Sequence, residues 1–172
     1  MADQKIHGQY ILTEILLPDL AVVEKFAARF APLLEIGDVV ALDGALGAGK
    51  TTLCRAIIHG LGYGGDVPSP TFNLVQIYEP PTADHIRPTI WHMDLYRLEK
   101  PEEAFEIGLE EAFDTAASLI EWPSKLGPYL PPGALILRLE TCSNRDPDNE
   151  ARKLTILGDM VWQGRLTEGL VL

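Results

Sequence analysis

The chain has 172 residues, 47% of them hydrophobic and 23% charged, which is enough for one globular domain with its own core. Its 25 Asp and Glu outnumber 14 Lys and Arg, and the net charge of −11 argues against a protein that holds nucleic acid by itself. Two cysteines exclude a disulfide framework, and no apolar run resembles a membrane span or a signal peptide, so we expect a cytoplasmic protein.

The N-terminal part is predicted to form a strand and a helix, covering 9–34 of a single domain that spans 1–172. Residues Gln9 to Ile15, "QYILTEI", are typical of a strand. A helix is expected after Pro18, with Asp19 as its N-cap residue. Its apolar residues share one face: Leu20, Val23, Phe26, Ala27, Phe30 and Leu34.

A glycine-rich loop then lies between a buried strand and a helix. "DVVAL", from Asp38 to Leu42, is short, apolar and β-branched, as buried strands are. "KTTLCRAIIHGL" is predicted to be a helix that ends at Gly62. Between them, Gly44 to Thr51 fits G-x-x-x-x-G-K-[ST], and a strand before and a helix after are the context in which this pattern binds phosphate.

The chemistry of phosphate binding explains this composition. Glycines allow positive φ angles, so successive backbone N–H groups form a concave anion site that the helix N-terminus reinforces. Lys50 would reach the β- and γ-phosphates, and the Thr51 hydroxyl would bind Mg²⁺. The alternative is a flexible turn with a solvated lysine. The predicted nucleotide-binding residues are Gly44, Ala45, Leu46, Gly47, Ala48, Gly49, Lys50, Thr51 and Thr52.

The remaining chain is predicted to complete an α/β domain. The predicted elements are strands at Phe72 to Glu79 and Thr89 to Leu98, one or two helices in "PEEAFEIGLEEAF" broken at Gly108, a strand at Ala117 to Trp122, and C-terminal strands within 134–172. The first two strands are expected to pair as an antiparallel hairpin. With a nucleotide-binding core at 38–125, the fold class is a three-layer, P-loop NTPase-like domain with a mixed, mostly parallel central sheet.

Two carboxylates follow apolar strand residues, where open α/β sheets bind ligands. Asp94 ends "TIWHMD", and Glu121 ends "SLIE". A phosphate-binding loop needs a carboxylate near Mg²⁺, so one of the two would hold the cation, directly or through water, and the other would orient the attacking water. The alternative for each is a surface carboxylate at the start of a loop.

Other residues allow more than one interpretation. "VPSPTF", from Val67 to Phe72, follows the loop helix, and the Thr71 hydroxyl either senses a γ-phosphate or belongs to a rigid turn. His92 and Trp122 are interpreted as core residues. No cysteine or histidine spacing matches a zinc site. The absence of N-K-x-D gives guanine specificity no support, and the absence of an arginine-rich lid argues against a small-molecule kinase.

Taken in order, "GALGAGKTT", "SPTFNLVQIY", "HMDLYRLEKPEEAFEIGLEEAF" and "IEWPSKL" resemble the TsaE family, the ATPase subunit for bacterial tRNA threonylcarbamoyladenosine (t6A) synthesis. The resemblance is close over roughly 35–130. It implies a small P-loop domain that hydrolyses ATP with Mg²⁺, weakly in isolation. It also implies two partners, a TsaD-like transferase and a TsaB-like companion, with tRNA contacted only through the complex.

Site roles follow from the same resemblance. ATP turnover would reset the complex rather than drive transfer. Thr51 and Glu121 are the implied magnesium positions, Asp94 belongs to the Walker-B-like "HMDLYR" and is a further candidate at the metal, and Thr71 belongs to the switch-like "SPT". The implied catalytic residues are therefore Lys50, Thr71, Asp94 and Glu121. The stretch Asp148 to Arg152 resembles a segment that the family brings near the nucleotide.

Alternative functions remain open on the sequence alone. One is a nucleotide-gated protein-binding module in which ATP orders Thr71 and its neighbours and hydrolysis is incidental. Another is a small-molecule kinase. The acidic net charge predicts weak tRNA binding by the isolated chain.

Overall fold

A computed structural model describes residues 5–6, 9–79, 87–142 and 151–170. In chain order its strands and helices are β1 (Lys5–Ile6), β2 (Gln9–Leu17), α1 (Leu20–Phe30), β3 (Val39–Asp43), α2 (Lys50–Gly60), β4 (Val75–Tyr78), β5 (Ile90–Asp94), α3 (Glu103–Glu106), α4 (Leu109–Thr115), β6 (Ala117–Glu121), β7 (Leu135–Thr141), β8 (Arg152–Gly158) and α5 (Met160–Gly169). Short 3₁₀ segments follow α1 and β6.

The strands form one mixed sheet in the order β1-β2-β8-β7-β3-β6-β5-β4. The central strands β7, β3, β6 and β5 run parallel to one another. The flanking pairs are antiparallel. Every residue of β5 and β6 is buried, as expected for central parallel strands covered on both faces. The carboxyl ends of β3, β5 and β6 therefore meet at one edge of the sheet.

Helices cover both faces of this sheet and create two apolar clusters. One cluster joins α1, α2 and α5 to the sheet, and in it the Phe30 ring stacks against the rings of Phe26 and Trp162. The other contains Trp91, Met93 and residues of α3 and α4. The predicted three-layer α/β fold with a mixed sheet is confirmed, and its parallel part is the central four strands.

Several local predictions are also confirmed. The Asp19 side chain caps α1 by accepting a hydrogen bond of 2.9 Å from the Val22 N–H. Gly62, at φ +94°, follows the end of α2, and Gly108, at φ +90°, separates α3 from α4. Strands β4 and β5 form the expected antiparallel pair. Among the described residues, no helix is long and apolar enough to cross a membrane.

Two strand boundaries differ from the predictions by three or more residues, and one helix was not predicted. β4 begins at Val75 rather than Phe72, because the chain turns at 70–74, where the Leu74 N–H bonds to the Pro70 carbonyl and Leu74 has φ +64°. β5 ends at Asp94 rather than Leu98, because residues 95–98 form a turn. The region 134–172 was predicted to hold strands, but it also contains α5, which the Asp159 side chain caps.

Candidate functional site

The glycine loop connects β3 to α2 with a backbone that its glycines make possible. Gly47 and Gly49 have φ angles of +79° and +103°, in the left-handed region that side chains other than glycine rarely adopt. At Gly44 the constraint is space, because a Cβ atom would lie 2.6 Å from the Leu139 carbonyl oxygen. α2 begins directly after this loop, so the free N–H groups of its first turn lie beside the loop.

Lys50 is the first residue of α2 and is buried, with 5% of its surface exposed. Its Nζ donates hydrogen bonds to the carbonyl oxygens of Gly44 (2.8 Å) and Ala45 (3.0 Å). The same Nζ lies 3.9 Å from the centre of the Trp122 ring. Burial lowers the pKa of Lys50, and the carboxylates of Glu121, Asp94 and Asp43 oppose that shift.

Thr51 meets Glu121 at the carboxyl end of the sheet. The Thr51 Oγ1 donates to the Glu121 carboxylate and lies 2.9 Å from each of its oxygens. Glu121 ends β6 and is 2% exposed. His92, on β5, is fully buried, and its Nε2 lies 2.8 Å from Glu121 Oε1. The result is a chain of three polar side chains that runs from the helix N-terminus into the core.

Cys54 lies one turn along α2 from Thr51 and faces the same region. Its Sγ, a ring nitrogen of His92 and a carboxylate oxygen of Glu121 all lie within 4.8 Å of one another, a group able to hold a metal ion. Burial raises the pKa of the Cys54 thiol well above its usual value, and the charges of Glu121 and Asp94 add to the shift. A protonated thiol is a poor metal ligand.

A second hydroxyl–carboxylate pair lies beside the first. Thr71 Oγ1 donates to Asp94 Oδ2 over 2.8 Å, and Ser69 Oγ lies 2.6 Å from Thr71 Oγ1. The other Asp94 oxygen accepts from the Tyr96 N–H at 3.1 Å. Asp94 and Glu121 are register partners on the parallel strands β5 and β6. The two carboxylates thus end neighbouring strands, each with a threonine hydroxyl bound to it.

A cavity of about 280 Å³ adjoins the loop on the side of α1. Its wall combines apolar side chains with Asp19 and Arg152, and Ala48, Gly49 and Thr52 form its border with the loop. The residues from the neighbouring elements are Leu17, Asp19, Leu20, Val23, Leu53, Leu139 and Arg152. A concave, mainly apolar pocket with few polar groups is the usual setting for the organic part of a ligand.

The sequence also matches a known family of proteins. A family model described as threonylcarbamoyl adenosine biosynthesis protein TsaE matches residues 17–153. The chain belongs to the TsaE family. The family membership that the motifs predicted is confirmed. In a TsaE-family chain, the glycine loop indicates a P-loop architecture.

Relatives cover most of this TsaE-family chain. The tRNA threonylcarbamoyladenosine biosynthesis protein TsaE of Rickettsia typhi is 40% identical over 139 residues, which are 80% of this chain and 93% of the relative. The protein of the same name from Haemophilus influenzae is 38% identical over 130 residues, covering 72% and 79%. The crystal structure of Bacillus subtilus YdiB matches with a TM-score of 0.72 at 25% identity, over 94% of this chain and 93% of that one.

The structure brings the predicted site residues together. Lys50, Thr51, Asp94 and Glu121 converge at the carboxyl edge of the sheet, and Thr71 joins them through Asp94. Of the predicted loop residues from Gly44 to Thr52, Ala48, Gly49 and Thr52 line the cavity. Their binding and catalytic roles stay predictions, because proximity alone does not establish a role.

Two residues interpreted from the sequence as core residues also contact side chains of the candidate site. His92 is buried as predicted, but it also contacts Glu121. Trp122 is only half-buried, and its ring covers Lys50 and packs on Tyr96 with centroids 5.1 Å apart. The sequence feature that could have predicted this placement of Trp122 is its position directly after a strand-end carboxylate. Within the stretch Asp148 to Arg152, Arg152 donates to the Ala48 carbonyl (3.2 Å), and 148–150 lie outside the described residues.

Proposed function

We propose that this TsaE-family protein binds ATP with Mg²⁺ and hydrolyses it as a subunit of the machinery for tRNA t6A modification. The carrying observation is the contact between Thr51, at the start of the loop helix, and Glu121, at the end of a central strand. This contact places a hydroxyl and a carboxylate beside the loop that suits phosphate. The relatives' printed names, which refer to tRNA threonylcarbamoyladenosine biosynthesis, support the process.

The triphosphate would lie along the glycine loop. Backbone N–H groups around Gly47 and Gly49 bind its oxygens, and the N-terminus of α2 adds a favourable dipole. The Lys50 ammonium then donates to the β- and γ-phosphates. The nucleoside would extend into the cavity beside Thr52, whose apolar side chains suit a base and whose Arg152 suits an anionic group.

The donor set of the site fits magnesium. Hard cations prefer oxygen ligands, and Mg²⁺ at nucleotide sites takes one or two carboxylates together with phosphate oxygens. Thr51 and Glu121 supply a hydroxyl and a carboxylate in mutual contact. When bound, Mg²⁺ would neutralise charge on the β- and γ-phosphates.

The second carboxylate has a separate role in this proposal. Asp94 holds Thr71 and neighbours Glu121, so it lies where it can orient the attacking water and accept its hydrogen bond. A further ligand role of Asp94 at the metal, through water, remains part of the prediction.

We further propose that ATP turnover depends on two partners, a TsaD-like transferase and a TsaB-like companion. Turnover would reset the complex that the partners form. Large apolar side chains are exposed around the site: Leu46 is 85% exposed, Phe72 81% and Tyr96 54%. An exposed apolar rim is typical of a protein–protein contact. The net charge of −11 supports contact with tRNA only through the complex.

The decisive experiment replaces Lys50 with Ala. The variant should lose Mg²⁺-dependent hydrolysis and should fail to support t6A formation in a mixture reconstituted with the partners, since the phosphates lose their principal cation. Lys100→Ala, at an exposed lysine, is the matched control and should behave as wild type. Asp94→Ala and Glu121→Ala should each impair turnover. Full activity of the Lys50 variant would reject the proposal.

A nucleotide-gated binding module is the second candidate, favoured by the single hydrogen bond that ties Thr71 to Asp94. A ligand at the γ-phosphate position could replace that bond and rearrange the loop without hydrolysis. A non-hydrolysable ATP analogue separates the two functions. If the analogue supports many rounds of t6A formation, the module is the correct description; if it stops after one, hydrolysis is required.

A further inference from the structure

The sheet register places His92 next to Glu121. On the parallel strands β5 and β6, His92 is opposite Leu119 and Asp94 is opposite Glu121. Alternate residues of a strand share a face, so His92 and Glu121 lie diagonally on the face that α2 covers. Their contact, 2.8 Å between Nε2 and Oε1, is thus fixed by the pairing of two central strands.

The surroundings of His92 determine which ring nitrogen can hydrogen-bond to Glu121. The side chain is fully buried, and Nδ1 has no hydrogen-bond partner among the described residues. A carboxylate only accepts, so the Nε2 atom that faces Glu121 must carry a proton. The N–H at Nε2 therefore points at Glu121.

The two partners of Glu121 differ in what they can do during binding. In the described part of the chain, its carboxylate accepts from the side chains of Thr51 and His92. Thr51 is at the proposed cation site, so its hydroxyl must serve both the cation and the carboxylate. His92 is fully buried on β5, and the sheet register fixes its contact with Oε1. Of these two partners only the Thr51 hydroxyl contacts Oε2, so Oε2 is the oxygen that a cation bound at Thr51 would share.

We propose that His92 is a positioning residue for the magnesium carboxylate: its Nε2–H holds Glu121 in the orientation that presents one oxygen to the cation. The inference rests on the proposed function, in which Glu121 binds Mg²⁺. Partners that orient metal ligands typically change metal affinity or activity by 10- to 100-fold when they are removed. We expect a loss of about that size in the Mg²⁺ dependence, with nucleotide binding in the absence of Mg²⁺ unchanged.

The test compares two amides that differ in where they place their N–H group. In His92→Gln the amide nitrogen occupies the position of Nε2, whereas in His92→Asn it falls near that of Nδ1. His92→Leu removes the donor altogether. Ile90→Val is the matched control, because Ile90 is buried on the same face of the same strand and has no link to Glu121. Titration calorimetry with ADP, with and without Mg²⁺, gives the magnesium-dependent gain in affinity for each full-length variant.

We expect the magnesium-dependent gain in ADP affinity to be kept in His92→Gln and Ile90→Val. It should fall about 10- to 100-fold in His92→Asn and His92→Leu. Wild-type gains in the Asn variant, or equal losses in Gln and Asn, would overturn the inference. If the Leu variant does not fold, the two amides decide the question. A wild-type protein that binds ADP with no magnesium-dependent gain would instead reject the proposed function, so the two failures are distinguishable.

Discussion

Replacing two glycines of the loop with alanine should separate folding from nucleotide binding. At Gly47 the backbone has φ +79°, and a Cβ atom would meet no other atom within 4 Å. At Gly44 a Cβ atom would lie 2.6 Å from the Leu139 carbonyl oxygen and 3.1 Å from the Ala48 Cβ. Gly47→Ala therefore strains only the backbone, whereas Gly44→Ala also forces two strands of the sheet apart.

The expected losses of stability follow from these contacts. A side chain in the left-handed region costs about 1–2 kcal/mol, which lowers the melting temperature of a domain of this size by about 2–8 °C. Gly44→Ala adds overpacking of about 1–3 kcal/mol to backbone strain of about 1–3 kcal/mol. Its melting temperature should fall by roughly 4–24 °C.

The assay is thermal unfolding of both variants, followed by titration calorimetry with MgATP at a temperature where both are folded. Gly47→Ala should lose most of its affinity although it is destabilised less than Gly44→Ala, because its loop amides can no longer all turn toward the phosphates. The reasoning is refuted if Gly47→Ala is destabilised as much as Gly44→Ala, or if it binds MgATP as tightly as wild type.

Three further predictions address other contacts. MgADP should change the tryptophan fluorescence, because the Lys50 ammonium lies 3.9 Å from the Trp122 ring; the change should disappear in Trp122→Phe and persist in Trp162→Phe. Thr71→Val removes the hydrogen bond to Asp94, so steady-state turnover should fall about 10- to 100-fold with nucleotide affinity preserved; unchanged turnover contradicts this role. Arg165→Met removes the bidentate hydrogen bonds from the Arg165 guanidinium to the Asp38 carboxylate, just before β3. Urea unfolding should show that the free energy of unfolding falls by about 1.5–3 kcal/mol, with normal turnover at urea concentrations below the transition.

The fold was predictable where one local signal dominated. The strand before the glycine loop, the helix after it and the Asp19 cap each depend on residues that are close in sequence. The helix α5 was missed because its apolar residues are few, and only Trp162, Leu166 and the following Leu170 pack against the core. Its stability comes from tertiary contacts, including the stack of Trp162 on Phe30, that the local sequence does not contain.

The candidate site was predictable in its residues but not in its connections. A loop motif and two carboxylates at strand ends identified Lys50, Asp94 and Glu121. The contact between His92 and Glu121 depends on the register of two strands that are separated by α3 and α4. The contact of Trp122 with Lys50 depends on a backbone conformation that the sequence disfavours, because a residue before proline is normally extended.

Backbone strain in this protein is located beside the proposed catalytic groups. Within 9–79, 87–142 and 151–170, the residues other than glycine with positive φ are Leu74 (+64°) and Trp122 (+59°). Leu74 ends the turn that carries Thr71, and its carbonyl accepts from the Asp94 N–H at 3.0 Å. Trp122 follows Glu121 directly.

Each left-handed residue costs about 1–2 kcal/mol, a considerable share of a typical folding free energy of about 5–15 kcal/mol. Such strain persists only where surrounding contacts hold it in place. At Trp122 those contacts are the Lys50 ammonium and the Tyr96 ring, and at Leu74 they are the backbone bonds to Pro70 and Asp94. The strained turn at Trp122 thus depends on the Lys50 ammonium, which the proposed function assigns to the phosphates, so occupancy of the loop should affect the conformation of the adjacent rim where partners are proposed to bind.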